Sequence, residues 1–289
     1  MEEIAKTLKP ITIEQVLTEF KKLQTLDLEQ VKPLSRIGNK VVDYFTYCPR
    51  LNTKGFKGIS FFEFIENLEK YKKGSNEKTF NYIKRIKPYL CETEIWNQVF
   101  RMYYGSVSIF KPINAMKIYT QFKPKCVLDF TMGWGGRLVG ACALNIEKYI
   151  GVDLNPELER PYQLMSEFLR NHSKTEIELY FTDALKIDYS KLEYDMVFTS
   201  PPYYNIELYV GTEKRTKEEW ETEFYQPIIE KTYQHLSQGG YYCLNVPITI
   251  YERVCVKVLG ECLIKLPLVK FSRQITKYGE CIYVWQKIL

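Results

Sequence analysis

A short apolar run, Met196-Val197-Phe198, stops on Thr199-Ser200-Pro201-Pro202 and is followed by Tyr203, Tyr204 and Asn205. Proline cannot donate to a sheet ladder, so a strand must end here. It ends in a rigid turn that carries a hydroxyl, two aromatic rings and an amide. Earlier, Asp129 closes Cys126-Val127-Leu128 and is followed by Gly133, Gly135 and Gly136, a turn in which backbone can approach a ligand closely. Asp153 closes Tyr149-Ile150-Gly151-Val152, and Asp183 follows Leu179-Tyr180-Phe181. Taken singly, each aspartate reads equally well as a loop cap. Acids at three successive strand ends beside a glycine turn point to a nucleoside cofactor. Asp153, roughly twenty residues past that turn, suits hydrogen bonds to two ribose hydroxyls. The turn lacks the G-x-G-x-x-G spacing of a dinucleotide fingerprint.

From residue 126 onward the chain alternates strand and helix. CVLDF, YIGVDLN, IELYFTD and YDMVFTS are short apolar runs, separated by helical stretches such as RLVGACALN and LERPYQLMSEFLRNH. EEWETEFYQPIIEKTYQHL reads as a helix ending at Gly239-Gly240, and YYCLNVPI, CLIKLPLVKF and CIYVWQK complete the strands. This alternation predicts a doubly wound, mostly parallel α/β sheet, with ligands bound outside the carboxyl ends of its strands. Residues 1 to 108 have a helical period instead. Ile13, Val16, Leu17, Phe20 and Leu23 recur at three and four, with Thr12 as N-cap. Further amphipathic helices are ISFFEFIENLEKY, FNYIKRIKPYL (stopping near Pro88) and IWNQVFRMYYG. The expected organisation is a smaller helical domain over 1–108 and an α/β domain over 109–289.

With 289 residues, 45% of them hydrophobic, the chain can build one large domain and a smaller companion. It holds no apolar stretch of the ~18 residues that a membrane span needs, and its N-terminus has no secretory pattern. The expected location is the cell interior: cytoplasm or nucleoid, or the interior of a host cell. Eight cysteines form no C-x-x-C pair, and none lies near His172 or His235 at zinc-ligand spacing, so no metal is expected. They read as buried thiols in a reducing compartment. Residues 1 to 120 hold 20 Lys/Arg against 13 Asp/Glu, a net of +7, in a chain of net +5. This excess fits a surface facing a polyanion, and equally fits lysines kept for solubility.

The motif series resembles that of class I S-adenosylmethionine-dependent methyltransferases. In particular it is similar to the amino-methyltransferases of DNA bases, whose hallmark is Asp, Asn or Ser, then Pro-Pro, then Tyr, Phe or Trp after the fourth strand. The resemblance spans residues 109 to 289; residues 1 to 108 match no family motif. It implies a Rossmann-like class I methyltransferase fold and S-adenosyl-L-methionine as cofactor. Gly133 and Gly135, beside Thr131, would border the methionine part, with Asp129 facing its amino group. Asp153, next to Leu154, would hold the ribose, and Asp183, next to Ala184, the adenine amine. Phe110-Lys111-Pro112 looks like the family's Lys-Pro segment beside the methionine moiety, and Phe110 reads equally well as a hinge hydrophobe between domains. Ser200, Pro201, Pro202 and Tyr203 would form the catalytic turn, with Tyr204 and Asn205 at the substrate entrance. Two departures stand out. Phe130 and Trp134-Gly135-Gly136 replace the family's Pro and Ser-Gly-Thr-Thr, and the glycine motif precedes the proline motif, the reverse of most Ser-Pro-Pro-Tyr enzymes.

An exocyclic amine is a poor nucleophile, because its lone pair is delocalised into the ring. It needs acceptors that hold its hydrogens and aim the lone pair, and Ser200 Oγ with the Pro201 carbonyl can supply them. Tyr203 offers a face to a flipped base. A carbon-directed mechanism would need a Pro-Cys pair, and none of the thirteen prolines is followed by Cys. Ser in the first motif position leans slightly to cytosine N4, with adenine N6 nearly equal. Nucleic acid is the expected partner, DNA ahead of RNA. The alternatives are an RNA base amino-methyltransferase, a protein-glutamine methyltransferase (which would carry Asn at Ser200) and a non-catalytic nucleic-acid-binding relic. Phosphate contacts would fall to Lys214, Arg215 and Lys217, and to Lys72, Lys73, Lys84, Arg85 and Lys87 of the helical region.

Overall fold

The computed structural model describes residues 1–32, 34–206, 214–268 and 281–288. The strands are β1 Cys126–Asp129, β2 Lys148–Asp153, β3 Glu176–Phe181, β4 Met196–Thr199, β5 Tyr241–Val246, β6 Ile264–Pro267 and β7 Cys281–Gln286. They form one sheet in the order β3-β2-β1-β4-β5-β7-β6. Strands β1 to β5 run parallel, and β7 is antiparallel to both β5 and β6. This is a Rossmann-like, doubly wound and mostly parallel sheet, as the sequence predicts. The central strands read as unbroken apolar runs because helices cover both of their faces: β4 is buried along its whole length, and in β1 only Cys126 is partly exposed. Of the expected strand CLIKLPLVKF, the part beyond Leu268 lies outside the described residues.

The helices before the sheet are α1 Glu2–Leu8, α2 Ile13–Gln24, α3 Asn39–Asn52, α4 Phe61–Glu66, α5 Leu68–Tyr71, α6 Gly74–Ile86, α7 Glu92–Tyr103 and α8 Pro112–Phe122. Within the sheet region lie α9 Gly136–Ala143 and α10 Glu159–Arg170. Thr12 caps α2 in a reciprocal box with Gln15, and Ser60 does the same for α4 with Glu63. Packing crosses residue 108. Val16, Phe20 and Leu23 of α2 and Val42 of α3 share one core with Leu138 and Val139 of α9 and Met165 of α10. A separate aromatic core, with Phe61, Phe64, Phe80, Trp96 and Phe100, joins α4, α6 and α7.

The helix after the proline motif is less regular than its sequence suggested. Lys217–Glu219 is α-helical, Trp220–Tyr225 is π-helical and Gln226–His235 is α-helical again. Pro227 has no N–H to donate, and the preceding turn widens around the gap. The cysteines are all free; Cys142, Cys243 and Cys255 are buried, whereas Cys91 is exposed at the start of α7. Among the described residues, no helix is long and apolar enough to cross a membrane.

Candidate active site

The carboxyl ends of β1, β2, β3 and β4 meet around one cavity. Thr131, Gly133, Asp153, Leu154, Asp183, Ala184, Ser200 and Pro202 line it, as does Trp134. Gly135 has φ +90° and Gly133 φ +56°, so the loop after β1 needs left-handed backbone that glycine adopts without strain. A Cβ on Gly136 would lie 1.8 Å from the Phe110 carbonyl oxygen, so only glycine lets α9 start against the segment leading into α8. A Cβ on Gly133 would meet only the Thr131 carbonyl, at 3.9 Å, which leaves open cavity beside it for a ligand's backbone contacts.

Asp153 ties this loop to its own strand end. Its Oδ2 accepts from the Gly133 N–H at 2.8 Å and its Oδ1 from the Asn155 N–H at 3.0 Å. Burial pushes its pKa up to about 6, although both N–H donors favour the ionised form. Each carboxylate oxygen keeps a further lone pair for a hydroxyl donor. Asp183 Oδ1 accepts from Leu185 N at 3.0 Å, which orients it at the end of β3.

Asp129 stands elsewhere. It is fully buried, does not line the cavity, and is held by Arg137 Nε at 2.6 Å, Arg137 NH2 at 3.1 Å and the Tyr149 hydroxyl at 2.5 Å. Burial works against the Arg137 cation, but Asp129 beside it holds the guanidinium pKa above its ordinary value. The same guanidinium donates to the Thr131 carbonyl at 2.6 Å and sits 5.3 Å from the Phe110 ring. Asp129 therefore braces the glycine loop from within, because a buried carboxylate takes the nearest cation and donors. Phe110, Pro112 and Gly135 also lie behind the cavity wall. The Phe110 ring meets Phe198 of β4 edge-on at 5.5 Å, and Pro112 is the first residue of α8.

The proline turn is held from two sides. Ser200 Oγ accepts from Asn245 Nδ2 at 2.9 Å, and the Tyr203 hydroxyl accepts from the same nitrogen at 2.8 Å and donates to the Asn245 carbonyl at 3.1 Å. On the other side, the Tyr225 hydroxyl donates to the Pro202 carbonyl at 2.5 Å and accepts from Tyr204 N at 2.9 Å. Tyr204 has φ +54°, a conformation a non-glycine residue keeps only when its surroundings enforce it. Pro201, Tyr203, Tyr204 and Asn205 do not line the cavity themselves. Asn205 instead bonds Arg215 (Nδ2 to the carbonyl at 2.6 Å) and accepts from Trp220 Nε1 at 3.1 Å, which brings Arg215 and Trp220 to the rim.

Sequence reasoning missed Asn245, Tyr225, Trp220, Arg215's place in the wall, and Asn155, Leu158, Glu223 and Phe224. A signal existed for Asn245, a lone amide in the apolar run YYCLNVPI. The surface cations Lys72, Lys73, Lys84 and Arg85 are exposed and border no cavity described here; Lys84 pairs with Glu92, and Lys87 donates to Gln98 at 3.1 Å.

No profile of a known protein family matches the chain, and no curated protein does. Solved structures do resemble it in fold. An rRNA methylase of Streptococcus thermophilus is 17% identical, with 63% of this chain and 100% of that chain aligned at a TM-score of 0.42. A tRNA methyltransferase of M. jannaschii is 13% identical over 64% and 53%, at a TM-score of 0.43. TrmN from Thermus thermophilus is 17% identical over 61% and 49%, at 0.42. The aligned part thus spans about half the length of the latter two. At these identities the likeness is one of fold alone.

Proposed function

We propose that this protein transfers a methyl group from S-adenosylmethionine to an exocyclic amine of a DNA base, cytosine N4 or adenine N6. One observation carries the reading: Ser200 and Pro202 open onto the same cavity as Gly133, Asp153 and Asp183. An acceptor turn and a nucleoside-binding set share one space. When bound, the cofactor supplies an electrophilic methyl group on a sulfonium.

The chain's own residues do the rest. Asp153 takes the ribose hydroxyls on its remaining lone pairs, and Asp183 accepts from the adenine amine, with Leu154 and Ala184 as apolar flanks. Thr131 and Gly133 border the methionine end, and Gly135 sets the turn behind them. Ser200 Oγ and the Pro201 carbonyl accept the two amine hydrogens and turn the lone pair toward the methyl group. The Pro201 carbonyl accepts no hydrogen bond among the described residues, and the prolines fix its direction in advance. Tyr203 stacks on the flipped base, Tyr204 and Asn205 shape the entrance, and the 1–108 region with its cations holds the strand. Asn245 positions both Ser200 and Tyr203, and Tyr225 keeps the turn rigid.

Calorimetry with S-adenosylmethionine, followed by mass spectrometry of nucleosides from treated DNA and RNA, tests the reading. N4-methylcytosine or N6-methyladenine in DNA supports it. Methylation confined to RNA would move the substrate to RNA with the same site. No affinity for the cofactor or its demethylated product would overturn it.

A further inference from the structure

A second cavity, about 690 Å3 against about 250 Å3 at the strand tips, opens between α3, α7 and residues 105–111. Its size is that of a ligand pocket, not of a packing gap. Six cations line it, Lys9, Arg36, Lys40, Arg50, Arg101 and Lys111, against two acids, Glu19 and Asp43. Both acids are engaged: Asp43 pairs with Lys9 and Arg50, and Glu19 accepts from the Gly38 N–H at 2.8 Å. Lys40, Arg101 and Lys111 form no salt bridge among the described residues.

Charges kept for solubility stay in water; Arg36, Lys40 and Arg101 are exposed, but the other three are withdrawn from it. Arg50 is 7% exposed, and Lys9 and Lys111 are half-buried. Burial holds both lysines below the ordinary lysine value; for Lys9, Asp43 opposes this while Arg50 and Arg101 add to it, and for Lys111, Arg36 adds to it. Like charges gathered in a concave, partly desolvated site repel one another until an anion joins them.

Helix α3 links this site to the strand-tip cavity. Asn39, Lys40, Asp43, Tyr47 and Arg50 all line the basic cavity from α3, and at ~100° per residue they fall within one sector of the helix. Other α3 residues hold the loops after β1 and β2: Thr46, ~20° outside that sector, donates to the Trp134 carbonyl at 3.2 Å, and Asn52 Nδ2, on the opposite side, donates to Glu157 at 3.2 Å. Trp134 and Leu158 line the strand-tip cavity, so α3 connects the basic cavity to the loops that build that wall.

We propose that the basic cavity binds phosphate groups, supplied either by the backbone of the nucleic acid that is methylated or by a free polyphosphate. Arginine forks suit phosphate oxygens, and Ser106 and Ser108 add hydroxyl donors along the 105–111 wall. The backbone source rests on the methyl-transfer reading; the free-phosphate source does not.

The test uses the full chain with Lys40→Glu/Arg101→Glu, two exposed positions outside the strand-tip cavity, and the charge-conserving pair Lys40→Arg/Arg101→Lys as control. A short single-stranded DNA and inorganic tripolyphosphate are titrated separately across a salt series. The charge-reversed protein should lose ~10-fold or more in affinity, with a log–log salt slope flatter by ~1.4 for two lost phosphate contacts. Loss confined to DNA assigns the backbone, and loss confined to tripolyphosphate assigns a free ligand; loss of both upholds the site for a backbone that the small ion mimics. S-adenosylmethionine affinity should be unchanged in the variant, and its absence already in the wild type would strike the methyl-transfer reading instead. Equal binding of both probes by wild type and reversed variant overturns the proposal, as does equal loss in the charge-conserving pair.

Discussion

Asp153 is where binding and stability oppose each other. Asp153→Ala should weaken S-adenosylmethionine binding by ~2–4 kcal/mol, the worth of two charge-assisted hydrogen bonds, as read by calorimetry. Only the ionised carboxylate accepts from both hydroxyls, so wild-type affinity should fall as pH drops below about 6. Stability runs the other way. A carboxyl whose folded pKa is raised from 3.8 to about 6 contributes stability fully present below its unfolded pKa and lost as pH rises through the folded one. Two pK units correspond to roughly 3 kcal/mol. Urea unfolding of wild type and Asp153→Asn without ligand should therefore show the wild type losing up to that much more between acid and mildly basic pH. Parallel pH profiles would mean that Asp153 is ionised without cost. At the proline turn, Asn245→Ala and Ser200→Ala should each lower turnover while leaving cofactor affinity near wild type. Wild-type methylation by both would remove the turn from the active site.

The elements hold these residues through a few close approaches. The Phe110 carbonyl admits α9 only because residue 136 has no Cβ. Gly136→Ala must push α8 and α9 apart, and overpacking against backbone costs about 1–3 kcal/mol or more. A lowered thermal midpoint together with weakened cofactor binding is the expected pair of results, and an unchanged midpoint would show the junction to be pliable. The brace inside the loop should be stiffer still. Arg137→Met leaves Asp129, with no solvent exposure, without its cation, a loss of about 3–5 kcal/mol. Chemical denaturation measures it directly, and a small deficit would indicate that the Tyr149 hydroxyl suffices.

For the whole molecule, the distribution of charge is the property with a consequence. Of the 20 Lys/Arg in residues 1 to 120, five form a set on and beside α6 and six surround the basic cavity. Neutralising Lys72, Lys73, Lys84, Arg85 and Lys87 together should weaken binding to unrelated DNA sequences alike and flatten the salt dependence, without touching cofactor affinity. These charges border neither cavity, so the loss per charge should be smaller than for Lys40 and Arg101, which act in a concave wall. Anisotropy titrations of both variants on one DNA order the two sets, and a larger loss per charge from the exposed set would reverse the assignment.

The strands, their parallel order and the residues at their tips were legible in the sequence, because the signals are local: apolar runs, a proline pair that must end a ladder, glycines that must turn. Eight of the 17 residues that line the cavity followed from these. Helix α3 did not. Its Val41, Val42, Tyr44, Phe45 and Thr46 are weak helix formers, Pro49 lies inside it, and Gly38 caps it where Ser or Asp would have announced it. Packing against α2, α9 and α10 overrides those propensities, and α3 came to link the basic cavity with the loops at the strand tips. Asp129 sits at its expected strand tip, but only the folded chain brings Arg137 and Tyr149 onto it and turns a ligand candidate into a brace. Asn245 reaches Ser200 because β5 lies beside β4 with Thr199 opposite Leu244, 45 residues further on. The basic cavity draws its cations from positions 9 to 111. Such partners are chosen by burial and charge once distant elements pack, and no local pattern in the chain encodes which residues that packing will bring together.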